Sequence, residues 1–144
     1  MNAMHKFMAC IFMYIASTGC CKFMEKKNTI TLDNRSTLTL YNTVGMPGDG
    51  NAGIYPDTSL PNRRPSFFTA DPHSTGYVVY GTDKIESIFE HQLPHDTLSV
   101  YVFNAADIDK LGWDIVQKEN KVLKRYDLSL QDLQQCGFVI TYDR

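Results

Sequence analysis

The chain has 144 residues, of which 21% are charged and 43% hydrophobic, with a formal charge of −2 and a pI near 6.0. That length suits one domain around one core and leaves little room for a second, and the composition excludes a wholly disordered chain. Lys and Arg are scattered and the net charge is weakly acidic, so no basic field awaits phosphates and nucleic acid is excluded as the expected partner.

The amino terminus carries the clearest pattern. Met1 to Lys6 is a short segment with one lysine, Phe7 to Ala16 is an unbroken apolar run, and the small residues Ser17, Thr18 and Gly19 come next. This is the layout of a signal peptide over residues 1–19. The run covers about half of the roughly 20 residues that a helix needs to cross a bilayer, so a permanent span is the weaker reading. A buried core helix is weaker still, because no face of the run is polar.

Ser17-Thr18-Gly19-Cys20 resembles the lipobox of bacterial lipoproteins. The resemblance implies cleavage before Cys20, acylation of its sulfur and a new N-terminus there. Ser17 departs from the Leu, Val or Ile usual three residues before the cysteine. Cys21 is the second choice, since it would put Cys20 where Gly, Ala or Ser normally precedes the cut. Each buried CH₂ contributes about 0.8 kcal/mol, so several acyl chains on one cysteine hold a protein durably on a membrane. Residues 20–28 read as a polar, basic tether. No Asp directly follows Cys20, which points to the outer membrane of a cell envelope, with the membrane itself as first partner.

Cysteines stand at 10, 20, 21 and 136, with no CxxC motif. This spacing offers neither a disulfide framework nor a zinc site, and Cys136 reads as a small core residue. Thr29–Leu32 and Ser36–Val44 are rich in Thr, Leu and Val, and Asp33-Asn34-Arg35 supplies turn chemistry between them, so a β-hairpin is expected. From Gly45 to Gly76 the texture changes, with five of the six prolines and five glycines. Loops of that length are uncommon and are usually binding or mobile segments. Tyr55, Arg63, Arg64, Phe67 and Phe68 form the candidate binding set within it, against the alternative that these aromatics cover a sheet edge. Gly48-Asp49-Gly50-Asn51 lacks both the Lys-Ser/Thr of a phosphate loop and the recurring carboxylates of a calcium loop, so a turn is expected and no cofactor.

Gly76–Tyr80 reads as a strand. Thr82-Asp83 would cap a short helix, with Glu86 completing a capping box and Ile85, Ile88 and Phe89 facing inward. His91 and His95 are four apart, but Pro94 disfavours the helical geometry that would align them, so no metal is expected. Thr97–Phe103 is apolar on both faces and should be a central strand. Asn104 can cap a helix whose buried stripe would be Ile108, Leu111 and Ile115, broken by Gly112. Lys121–Leu128 returns to extended chain, Ser129-Leu-Gln-Asp132 reads as a capping box, and Gly137–Tyr142 closes with a strand. The segment between Thr97–Phe103 and Lys121–Leu128 permits either a βαβ crossover or a hairpin-like return.

Residues 55–61, 96–103 and 123–133 look like segments of a group of small lipoproteins from Bacteroidales-type gut bacteria. That group brings no known activity and no assigned functional residue. Where its members tend to carry an Asn-Trp pair before the last strand, this chain has Cys136-Gly137-Phe138.

The expected fold is therefore a mainly β, α+β domain over residues 29–144: an antiparallel, sandwich-like sheet arrangement with a few short helices. The expected role is non-enzymatic, a binding or structural lipoprotein that offers the loop to an envelope protein or glycan. A small hydrolase acting on glycan or peptide through Asp57, Asp71 or Glu90 is the alternative. Intact-mass analysis of the membrane fraction should find acyl mass on Cys20 in the wild type. A Cys20→Ala variant should lose that mass and leave the membrane fraction, whereas an unmodified wild-type Cys20 would end the anchor reading.

Overall fold

In the computed structural model, residues 27–48, 52–65 and 68–144 are described. The expected export segment over residues 1–19, Cys20, Cys21, most of the expected tether and Phe67 lie outside the described residues. Seven strands run in chain order: β1 (Thr29–Asn34), β2 (Leu40–Gly45), β3 (Phe68–Ala70), β4 (Ser74–Tyr80), β5 (Thr97–Asn104), β6 (Lys124–Ser129) and β7 (Val139–Tyr142). Four short helices accompany them: α1 (Ile85–His91), α2 (Ala105–Leu111), α3 (Trp113–Lys118) and α4 (Leu130–Gln135). One sheet has the order β4-β1-β7 and the other β3-β2-β5-β6. All pairs are antiparallel except β1 with β7. The mainly-β, α+β expectation is met.

β1 alternates buried Ile30, Leu32 and Asn34 with half-buried Thr29, Thr31 and Asp33, the period-2 signature of a strand with one face in the core. The expected hairpin between β1 and β2 does not form, because the two strands belong to different sheets. The cause is Asn34, which is not an exposed turn residue but fully buried. Its Nδ2 donates to the carbonyls of Leu38 (2.7 Å), Ala70 (3.1 Å) and Asp71 (2.9 Å). Its Oδ1 accepts from the backbone N–H of Ser36 at 3.0 Å and from the Ser36 hydroxyl at 2.7 Å. The side chain thereby turns the chain out of one sheet and into the other. β3 leads to β4 through the same corner, where the His73 N–H donates to the Ser36 carbonyl at 3.3 Å.

The facing surfaces of the sheets enclose the main core. Ile30, Leu32, Val78, Ile140 and Tyr142 from the three-stranded sheet meet Leu40, Ala70, Leu98, Val100 and Val102, and Ile85, Ile88 and Phe89 of α1 join them. β5 is central, as expected, and buried on both faces. Its other face, with Tyr101 and Phe103, forms a second cluster with Leu60, Ile108, Trp113 and Val116. Tyr126 on β6 ties the sheets at another point, donating to the Thr141 carbonyl at 2.8 Å. Burial, assisted by the negative charge of Asp143, pushes the pKa of this hydroxyl up to about 12, so it stays a donor at neutral pH.

Several local expectations need correction. Residues 68–70 and 74–76 of the expected long loop are strand, so Phe68 belongs to β3. α1 begins after Lys84 without a side-chain cap, because the backbone supplies one: the Ile85 N–H donates to the Lys27 carbonyl at 3.0 Å. Gly112 does break the helical segment, with φ 85° and ψ 156°, but the break also resets the helical phase of α3 relative to α2. Trp113 and Val116 are buried, while Leu111 and Ile115 are 38% and 41% exposed. β6 pairs antiparallel with β5, so the connection is a hairpin-like return and not a crossover. Cys136 is exposed at the end of α4, because Leu133 and Phe138 occupy the interior on either side. The Ser129–Asp132 capping box forms as read.

Replacing Asn34 with Ala removes five hydrogen bonds at this corner, and should cost about 2–4 kcal/mol. Asn34→Asp keeps the shape but aims an acceptor at three carbonyls, and should cost at least as much at neutral pH. Urea unfolding of both variants checks this; midpoints equal to wild type would show that the corner holds without the amide.

Candidate functional site

The site begins with the register of β5 and β6, which sets Tyr101 opposite Arg125 and Ser99 opposite Asp127. These four side chains share the outer face of the four-stranded sheet. Ser99 Oγ donates to Asp127 Oδ1 at 2.6 Å, and Arg125 Nε donates to the same oxygen at 2.8 Å. The Arg125 guanidinium lies over the Tyr101 ring, 5.3 Å from its centroid. Its two remaining nitrogens donate to Ser99 Oγ at 3.1 Å and to the Asp57 carbonyl at 2.7 Å.

That last bond reaches the loop, and three more side chains hold it in the same manner. The Tyr101 hydroxyl donates to the Gly53 carbonyl at 2.9 Å and lies 3.3 Å from that of Ser59. Gln117 Nε2 donates to the Pro61 carbonyl at 2.8 Å, and Trp113 Nε1 to that of Asn62 at 3.0 Å. Leu60, Pro61 and Pro65 are buried beneath the loop. Where the loop crosses the end of β2, glycine meets glycine: a Cβ on Gly45 would fall 1.8 Å from the Gly53 carbonyl oxygen. Gly53 has φ +77°, and a Cβ there would meet Pro61 at 2.8 Å. The loop backbone is therefore fixed through its carbonyls, while Tyr55, Pro56, Asp57, Thr58, Asn62, Arg63 and Arg64 face solvent.

The sequence-derived binding residues do not converge on one point. Tyr55 is 38% exposed and meets His95 edge-on at 6.4 Å, just ahead of β5. Arg64 donates to Asp109 Oδ1 at 2.8 Å, and Asp109 also accepts from the hydroxyl of Tyr41, whose backbone pairs with Phe103 near the far end of β5. That bond raises the pKa of the Tyr41 hydroxyl. Eight strand residues, about 25 Å, separate the two ends. Arg63 is exposed beside Arg64, Phe68 is half-buried in β3, and Phe67 lies outside the described residues. The residues that hold the loop, Tyr101, Trp113, Gln117 and Arg125, are not among those the sequence singles out. Their signal is the second apolar face of Thr97–Phe103, which has to be covered by something.

The three acids of the hydrolase alternative sit apart: Asp57 in the loop, Asp71 between β3 and β4, and Glu90 on α1, all exposed. The Asp57 carboxylate accepts from the Ser59 hydroxyl at 2.7 Å and its N–H at 2.9 Å, and these bonds hold its pKa below the usual carboxylate range. A depression of about 310 Å³ between α1 and α4 is lined by Phe89, Glu90, Asp96, Ser129, Leu130 and Gln131. Among the described residues, no group of three or more His, Cys, Asp or Glu side chains is placed to hold a metal ion.

Comparison with protein-family models, curated proteins and solved structures finds no match. Tyr101→Phe removes the hydroxyl shared by two loop carbonyls and should cost about 1–2 kcal/mol. Hydrogen exchange followed by mass spectrometry should show the loop amides at Asp57 and Ser59 losing protection roughly tenfold, with β1 amides unchanged. Unaltered exchange in the loop would mean that the remaining contacts suffice.

Proposed function

We propose that this chain is a lipid-anchored protein of the cell envelope, attached through Cys20, whose domain serves as a non-enzymatic recognition module for an envelope protein or glycan. The observation that carries the reading is the way the loop over residues 53–62 is held. Four scaffold side chains grip its carbonyls, so its backbone is held in place while Tyr55, Thr58, Asn62 and Arg63 are exposed. Fixing a loop before binding removes the ordering cost that a mobile loop would meet on association. Binding residues are concentrated on such loops held by rigid scaffolds. Tyr55, with a flat ring and few rotatable bonds, and Arg63, with five donors, belong to the residue types that dominate recognition surfaces.

The bacterial-lipoprotein pattern at residues 17–20 supports the envelope address, and the polar run after it supports a domain held close to a membrane. The hydrolase alternative receives no support from the dispersed positions of Asp57, Asp71 and Glu90.

A Tyr55→Ala, Arg63→Ala double variant alters two exposed loop side chains and leaves the four carbonyl grips in place, so it should still unfold cooperatively, within about 1–2 kcal/mol of wild type. Crosslinking in intact cells followed by mass spectrometry should lose the wild-type partner in this variant. Retention of the same crosslinked products at wild-type yield would remove the loop from the recognition surface.

A further inference from the structure

The outer face of the three-stranded sheet, opposite the core, is not uniform along its length. At the end where β1 starts, Thr29 pairs with Tyr80, and the next outward row runs Tyr77–Thr31–Val139 across the three strands. Tyr77, Tyr80 and Val139 are 51%, 67% and 39% exposed, and the two tyrosine rings lie 5.1 Å apart, centroid to centroid. This half of the face carries no charge. At the other end, Asp33 pairs with Thr75 and is bridged by Arg35 at 2.9 Å. The uncharged aromatic half is thus the half nearest the point where the chain arrives from Cys20.

The length of that approach limits where the face can be. Nine residue steps separate Cys20 from Thr29, so an acylated Cys20 keeps Thr29 within at most about 30 Å of the bilayer. Contact between the sheet end and the lipid surface is then intramolecular, and a weak surface suffices to orient the domain. Tyrosine favours the membrane–water interface, where its ring lies among the upper acyl carbons and its hydroxyl stays wet. In the sequence, Lys22, Lys26 and Lys27 precede β1, and the Lys27 carbonyl accepts from the first N–H of α1, at Ile85. Residues 20–28 carry three lysines against one glutamate, a net positive stretch of sequence that suits the negative surface of anionic lipids.

We propose that the Tyr77–Tyr80 end of the three-stranded sheet rests on the headgroup region of the membrane to which Cys20 is attached, and so fixes the orientation of the domain. This deepens the lipid-anchor reading and depends on it.

The test uses the full-length acylated chain, purified from membranes and reconstituted in vesicles of phosphatidylethanolamine and phosphatidylglycerol. A Tyr80→Trp reporter is compared with the wild type, whose single tryptophan, Trp113, is buried beneath the loop. The expected result is blue-shifted reporter emission, quenched by lipids brominated on their upper acyl carbons and shielded from aqueous iodide. A Thr75→Trp reporter, at the charged end of the same strand, should stay open to iodide. If the protein floats with the vesicles but the Tyr80→Trp emission is solvent-like, the orientation proposal fails and the anchor stands. If the protein does not float with the vesicles, the anchor reading fails and takes this proposal with it. Shielding that appears only on adding soluble cell-wall glycan would assign the tyrosines to a sugar and also overturn the proposal.

Discussion

The carboxamide of Asn34 is the constraint on which the rest of the architecture depends. It carries no charge, so it enters the core without the desolvation cost of an ion, and its oxygen and nitrogen are both fully engaged there. The carbonyls of Leu38, Ala70 and Asp71 and the N–H of Ser36 converge on this one side chain. A buried polar group without a partner costs about 1–3 kcal/mol, so an apolar residue at position 34 would leave this corner unstable in more than one place. Two separate chain crossings, β1 to β2 and β3 to β4, meet at the same amide. The two sheets are consequently stacked by a shared hinge of hydrogen bonds as well as by the apolar surface between them.

Everything on the outer side of the four-stranded sheet depends on that corner. Because β1 leaves for the other sheet, β2 takes β5 as its neighbour, and β5 acquires partners on both edges and apolar residues on both faces. A strand of that kind cannot present one face to water. α2, α3 and the loop cover it, and the phase shift at Gly112 aims Trp113 and Val116 inward to do so. The loop arrives bearing carbonyls that need donors, and Tyr101, Trp113, Gln117 and Arg125 provide them. Covering an apolar face and ordering the loop are thus the same structural act.

Much of this is legible in the chain, and the failures share a cause. Strands with a strong alternation or two apolar faces are readable, as are the Asn104 and Ser129 helix starts, because these signals are local. A hairpin over residues 29–44 is the wrong expectation because Asp33-Asn34-Arg35 has turn composition in any setting; its burial depends on Ala70 and Asp71, which are far away in sequence. Extending the stripe from Ile108 to Ile115 is wrong because it carries a helical period across a glycine that resets it, and Leu111, the last residue of α2, is itself 38% exposed. Arg63 and Arg64 can be picked out as side chains suited to a ligand, but the partner that ties Arg64 to Asp109 cannot. The residues that fix the loop are invisible as a group, since Tyr101 and Arg125 become neighbours only through the β5–β6 register.

The two candidate surfaces stand in a definite relation to each other. The Tyr77–Tyr80 end belongs to the outer face of the three-stranded sheet, and the loop covers the outer face of the four-stranded one, with the core between them. Sheets stacked in this way lie about 10 Å apart, so the two surfaces are on opposite sides of the domain. A domain resting on a bilayer by its tyrosines would therefore turn Tyr55, Asn62 and Arg63 away from the lipid. With Cys20 as the proposed anchor and the loop as the proposed recognition surface, the two would not compete, because the lipid contact would use the face that the loop leaves free.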